Sequence, residues 1–218
     1  MEPFTRENER LLKVSLSDST VMAKTGSMVA YQGDISFEHA PAKLGKIFKK
    51  AVTGTPQTPM AVTGTGEVFL ADQAQNVHLL TLDREQLTVN PDHLLAFDSS
   101  IAWTTERLRT VAGVVAGGLF NIVLQGSGSV ALVTHGEPLR LAVNGKPTVG
   151  DALAAVAWSD GVTAKVRPER KLKDLAKRAA SHETVQLAFS GAGWVLVQPS
   201  EGPVPAPPPA DEPPIPAD

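Results

Sequence analysis

Residues 123–133 read VLQGSGSVALV, and the fold turns on what Gly126-Ser127-Gly128 does there. A glycine loop that cradles a phosphate must be followed at once by a helix, because the helix N-terminus supplies the free amides and the positive end of the dipole. After Gly128 the chain continues as SVALV, an apolar β-rich run, and no GxxxxGK[ST] occurs anywhere. The frame also recurs, as AVTGTGEVFLA at 61–71 and AFSGAGWVLVQ at 188–198. Each copy has an apolar run, one polar residue, Gly-x-Gly, one variable residue, and a second run opening on Val. Gly64, Gly66, Gly126, Gly128, Gly191 and Gly193 are therefore predicted as turn residues, supplying positive φ where the chain reverses between strands.

The flanks repeat as well. LTVNPDHLLAFDSSI (87–101) and PTVGDALAAVAWSDGV (147–162) both run Thr-Val, turn, apolar stretch, Ala-aromatic, turn. A self-similar period of about 60 residues implies duplicated β-units. Short β-rich runs bounded by Gly, Asp, Asn or Pro fill the rest. They include Ser27–Tyr31, Asp34–Phe37, Val77–Leu82, Leu94–Phe97, Val130–Thr134 and Trp194–Gln198. The expected fold class is all-β, with duplicated sandwich modules over residues 1–202 in two units, roughly 10–105 and 106–202. Two short helices are expected, over 43–51 and 168–180, where apolar residues fall at i, i+3, i+4 and i+7. Residues 203–218, PVPAPPPADEPPIPAD, lack donors and apolar mass and are expected to be a disordered tail, either solubilising or a ligand for a proline-recognising partner.

Composition narrows the function. The chain has 218 residues, a formal net charge of −3 and no cysteine. The charge argues against nucleic acid as a partner. The missing cysteines remove disulfides, thiolate catalysis and zinc ribbons. No secretory signal is read at the N-terminus. The longest apolar run, Val111 to Leu124, is too short to span a bilayer as a helix. The expected location is cytoplasmic, with access to a membrane surface.

On these motifs the chain resembles a known family, the one named for altered inheritance of mitochondria (its twenty-fourth member). The matching stretches are TGSMVAYQGDISFE (25–38), GTGEVFLA (64–71), LLAFDSSIAW (94–103), GGLFNIVLQGSGSVALVTHGEP (117–138) and GAGWVLVQPSE (191–201), in the family's order. The resemblance implies a fold like that of the tryptophan RNA-binding attenuation protein, a double-stranded β-helix-like module duplicated within the chain. It also implies a homo-oligomer, with a trimer favoured, and no established activity. TGTPQTPMAVTG (53–64) departs from the pattern, carrying two prolines where relatives have a Gly-Glu-Ser-like stretch.

Chemistry is sparse. His39, His78, His93, His135 and His182 are scattered, with no HxH or HExxH. No G-x-S-x-G elbow places a serine nucleophile. Asp83, Glu85, Asp92, Asp98, Asp151 and Asp160 sit at predicted turns, where carboxylates bond the local backbone. Trp103, Trp158 and Trp194 sit near strand ends, suited to core or interface packing, or more sharply to carbohydrate or base stacking. The densest polar feature is basic: Lys43, Lys46, Lys49 and Lys50 on one helix, and Arg170, Lys171, Lys173, Lys177 and Arg178 on the other. These are solvated helix faces or, more sharply, contacts to an anionic membrane surface at about 1 kcal/mol per basic residue. The expectation is a non-enzymatic oligomeric scaffold without a cofactor or metal. The alternatives are a peripheral membrane organiser and a small-ligand or RNA-binding module.

Overall fold

A computed structural model of the chain describes residues 3–39, 59–107, 120–167 and 185–200. Within them the protein is all-β. The strands are β1 (Phe4–Asn8), β2 (Leu11–Ala23), β3 (Met28–His39), β4 (Met60–Leu70), β5 (Asn76–Val89), β6 (Leu94–Asp98) and β7 (Ala102–Arg107). They continue with β8 (Phe120–Thr134), β9 (Leu139–Asn144), β10 (Thr148–Asp151), β11 (Ala155–Ser159), β12 (Val162–Val166) and β13 (Gln186–Val197). A 3-10 turn at Pro91–His93 is capped by Asn90, whose side chain accepts the Asp92 N–H. The helices expected over 43–51 and 168–180, and the tail, lie outside the described residues.

The strands form one antiparallel sheet with the path β10-β13-β11-β5-β8-β6-β2-β4-β3. The registers resolve this path into three like units. Each has a lead strand, a flanking strand and a Gly-x-Gly strand that enters between them: β2, β3 and β4; β5, β6–β7 and β8; β9–β10, β11–β12 and β13. The expected two-unit division at 105/106 is corrected: that boundary cuts β7, which pairs with β8 along its whole length.

The turn assignment of the glycines is corrected too. Gly64 and Gly66 lie inside β4, Gly126 and Gly128 inside β8, and Gly191 and Gly193 inside β13, and each strand runs on. Their φ values are positive, as expected, but at 114 to 156° they are those of a mirror-image extended chain, not of a reversal. A side chain at Gly128 would meet Asp98, whose Oδ2 accepts the Ser129 N–H at 2.6 Å.

Connection length shows what the glycines accomplish. β2 and β3 both run antiparallel to β4, with Ala23 opposite Met60 and Met28 opposite Leu70. If β4 were flat, the gap from Ala23 to Met28 would be about 33 Å, ten steps of a strand. The intervening residues 24–27 reach only about 17 Å. The sheet must curl back on itself, and the Gly-x-Gly marks the bend. Accordingly Met60, Val62, Val68 and Leu70, from both ends of β4, share one buried cluster with Leu12, Val14 and Val21.

The lead strands bend at the same level through β-bulges. Between Leu16 and Ser19 the lead strand has two residues against Thr65, and between Leu82 and Glu85 two against Ser127. Asp18 and Arg84 take positive φ there, and their N–H groups donate to Thr65 Oγ1 at 3.0 Å and Ser127 Oγ at 2.9 Å. In the third unit Ala192 offers no hydroxyl, and Gly145, at φ 86°, makes the bend between β9 and β10. Two further clusters complete the core, one around Leu87, Phe97, Ile122 and Leu132, the other around Trp158, Leu187, Phe189 and Val195.

Candidate functional site: two open sheet edges

Consecutive units join by strand pairing. The second half of β2 pairs with β6 (Val21 with Asp98, Met22 with Phe97, Ala23 with Ala96), and the second half of β5 pairs with β11 in the same register (Leu87 with Ser159, Thr88 with Trp158, Val89 with Ala157). Among the described residues, no unit pairs ahead of the first or beyond the third. β3 and β10 are therefore the two ends of the sheet path.

Both edges carry exposed apolar side chains. Met28, Val29 and Tyr31 on β3 and Val149 on β10 are among the exposed large hydrophobic residues. Tyr31 packs edge-on to Phe37, with ring centroids 5.4 Å apart. Sequence reading placed Ser27–Tyr31 in a strand but missed that it is an edge. A signal was present: Val29-Ala30-Tyr31, Leu95-Ala96-Phe97 and Val156-Ala157-Trp158 are three copies of one apolar-Ala-aromatic triplet.

The residues singled out for chemistry serve the framework. His78 Nε2 lies 2.7 Å from Thr134 Oγ1, whose own proton goes to the Gly136 carbonyl, so Nε2 carries the proton. Burial lowers the His78 pKa below its ordinary value. Buried His93 has its Nδ1 2.8 Å from the Val133 carbonyl; desolvation outweighs the pull of the nearby backbone carbonyls and lowers its pKa. His135 is exposed, His39 ends β3, and His182 lies outside the described residues. No group of His, Asp or Glu among the described residues could hold a metal ion.

Asp98, Asp151 and Asp160 accept the backbone N–H groups of Ser129, Leu153 and Gly161. Asp83 is exposed beside Arg84. Trp158 packs edge-on to Phe189 at 5.7 Å, Trp194 lies 4.4 Å beneath the Arg140 guanidinium, and Trp103 lines the second cluster. A hollow of about 20 Å³ beside Asn121, Ala155 and Trp158 is water-sized, far below the hundreds of Å³ of a ligand pocket. The basic residues 43–50 and 170–178 lie outside the described residues. No described helix is long and apolar enough to cross a membrane.

The family model described as mitochondrial biogenesis AIM24 matches residues 4–200, from the first strand past the last. The chain belongs to the AIM24 family. Among solved structures, the X-ray structure of a Streptococcus pyogenes protein superposes with a TM-score of 0.71 at 22% identity, covering 89% of this chain and 91% of that one. At that identity the likeness is one of fold, and it shows the AIM24 strand arrangement in a second chain. No curated protein matches the sequence.

Proposed function

We propose that the protein is a non-enzymatic, homo-oligomeric scaffold, with a trimer favoured, working in the cytoplasm. The observation that carries this reading is that both open edges expose apolar side chains, Met28, Val29 and Tyr31 at one end of the sheet and Val149 at the other. Open edges with apolar side chains invite pairing, and a soluble protein must cover them. Covering such side chains is worth about 1.5–3 kcal/mol each at full burial, a strong drive toward association. The non-enzymatic part of the reading draws on the commitment of Asp98, Asp151, Asp160, His78 and His93 to backbone and hydroxyl partners. A scaffold of this kind also suits a family described by a biogenesis role rather than by a reaction.

Gel filtration with light scattering at micromolar concentration tests the proposal. A mass that is a multiple of 23.0 kDa is expected. A clean monomer overturns the reading.

A further inference from the structure

Both internal junctions obey one rule. The last residues of a lead strand pair with the first residues of the next unit's flanking strand, and the residue after the lead strand donates its N–H to the carbonyl of the triplet's first member. Lys24 donates to Leu95 at 2.7 Å, and Asn90 donates to Val156 at 2.9 Å. The register with the Gly-x-Gly strands fixes the equivalents at the open edges. Val21, Leu87 and Thr148 lie opposite Val62, Leu124 and Phe189, each two residues before the first glycine. Tyr31, Phe97 and Trp158 lie opposite Val68, Val130 and Val195, each two residues after the second glycine.

Burial at equivalent positions shows what is missing. Leu95 and Val156 are 0% exposed and Val29 is 62%; Phe97 and Trp158 are 0% and 4% exposed and Tyr31 is 47%. Residue type does not account for this, since Val156 and Val29 are the same residue. Among the described residues, what differs is the preceding lead strand, which lies over the second and third triplets and not over the first.

We propose that β10 of one copy supplies that strand to β3 of another, in antiparallel register with Thr148 opposite Gln32, Val149 opposite Tyr31 and Gly150 opposite Ala30, the Asp151 N–H donating to the Val29 carbonyl. The occupant is a second copy because it carries the lead-strand end that the two internal junctions use, in the same register. Copies join head to tail, so the assembly repeats its own internal junction, and closing it as a ring pairs both ends of the sheet path. This inference rests on the oligomeric reading and assigns its interface.

The chain has no cysteine, so introduced pairs report without background. In the internal junctions the Lys24–Leu95 position is hydrogen-bonded, which makes the position of Val21 and Asp98, three residues along, a non-hydrogen-bonded one with closely spaced Cβ atoms. Thr148 and Gln32 occupy the equivalent position. Oxidised protein carrying Thr148→Cys with Gln32→Cys is expected to run as covalent multimers on a non-reducing gel, and Thr148→Cys with Asp34→Cys is not. Association by light scattering without in-register cross-links overturns this inference and leaves the scaffold reading standing. A cross-link within one chain overturns it in favour of internal closure, and a clean monomer overturns both. As a check independent of the double variants, Tyr31→Glu, a change at an exposed position of the single chain, is expected to keep the β circular dichroism while weakening association at least about a hundredfold. Unchanged association of folded Tyr31→Glu also overturns the proposal.

Discussion

The first and second units carry the same register and meet different fates. Phe97 is sealed between β2 and β8, whereas Tyr31, at the same place in its unit, pairs on one side with β4 and, among the described residues, with no strand on the other. The local sequence is nearly the same, Val-Ala-Tyr against Leu-Ala-Phe. The comparison teaches that burial in this fold belongs to the junction between units more than to the triplet itself.

Truncation breaks the comparison most sharply. Phe97→Ala opens a cavity at a closed junction and is expected to cost about 3–5 kcal/mol. Tyr31→Ala, measured by urea unfolding at concentrations low enough to keep the chain single, is expected to cost less than about 1 kcal/mol. Equal costs would mean that the two positions are not equivalent. Next in size is Asp98→Ala, which strands the Ser129 N–H and removes a charge-assisted bond, for about 1.5–3 kcal/mol. Gln32→Ala, at the matching exposed position, is expected to stay within about 0.5 kcal/mol.

A pH titration separates the two internal junctions. Four residues beyond the lead strand stand Ser27 at the first and His93 at the second. Burial holds the His93 pKa below its ordinary 6.5, so below that pH the unfolded chain takes up the proton first. Stability is therefore full above about pH 6.5 and falls as the pH drops toward the lowered folded value, by no more than about 1.4 kcal/mol per pH unit. His93→Gln is expected to remove part of that slope, leaving the share due to His78, in unfolding curves taken between pH 7 and 5. An unchanged slope would exclude His93 as its source. The smallest effect is at the bulges. Ser127→Ala removes the acceptor of the exposed Arg84 N–H, which water can replace, and is expected to cost about 0.5 kcal/mol, since the third unit folds with Ala192 there.

Much of this was legible in the chain. Period-two runs located most strands, and the three Gly-x-Gly frames marked the positions of positive φ. Reading the glycines as reversals failed because hairpin and curled strand share the same local signal, β-run, glycine, β-run. Only long-range pairing, such as Ala23 with Met60, separates them. Two of the bulges were invisible because Asp18 and Arg84 are ordinary residues forced into left-handed geometry by their partners. The third unit was hidden by its flank, where Val156-Ala157-Trp158 was matched to Leu95-Ala96-Phe97 without extending the match back to Val29-Ala30-Tyr31. The triplet pattern marks Val29-Ala30-Tyr31 as an equivalent of two buried segments, but it does not by itself show an edge, since an edge is defined by an absent neighbour.

In every unit the strand that comes last in the chain lies in the middle of the sheet. As the polypeptide emerges during synthesis, β2 and β3 are complete while the slot between them is vacant, and they cannot pair with each other in the native arrangement. They wait some 20 residues, from His39 to Met60, for β4. A wait recurs before β8, from Arg107 to Phe120, and before β13, from Val166 to Gln186. Each unit is thus completed only when its glycine strand arrives; in the first, a nascent chain cut short before β4 holds β2 and β3 with no strand to join them, whereas β6 and β11 already have β2 and β5 to pair with.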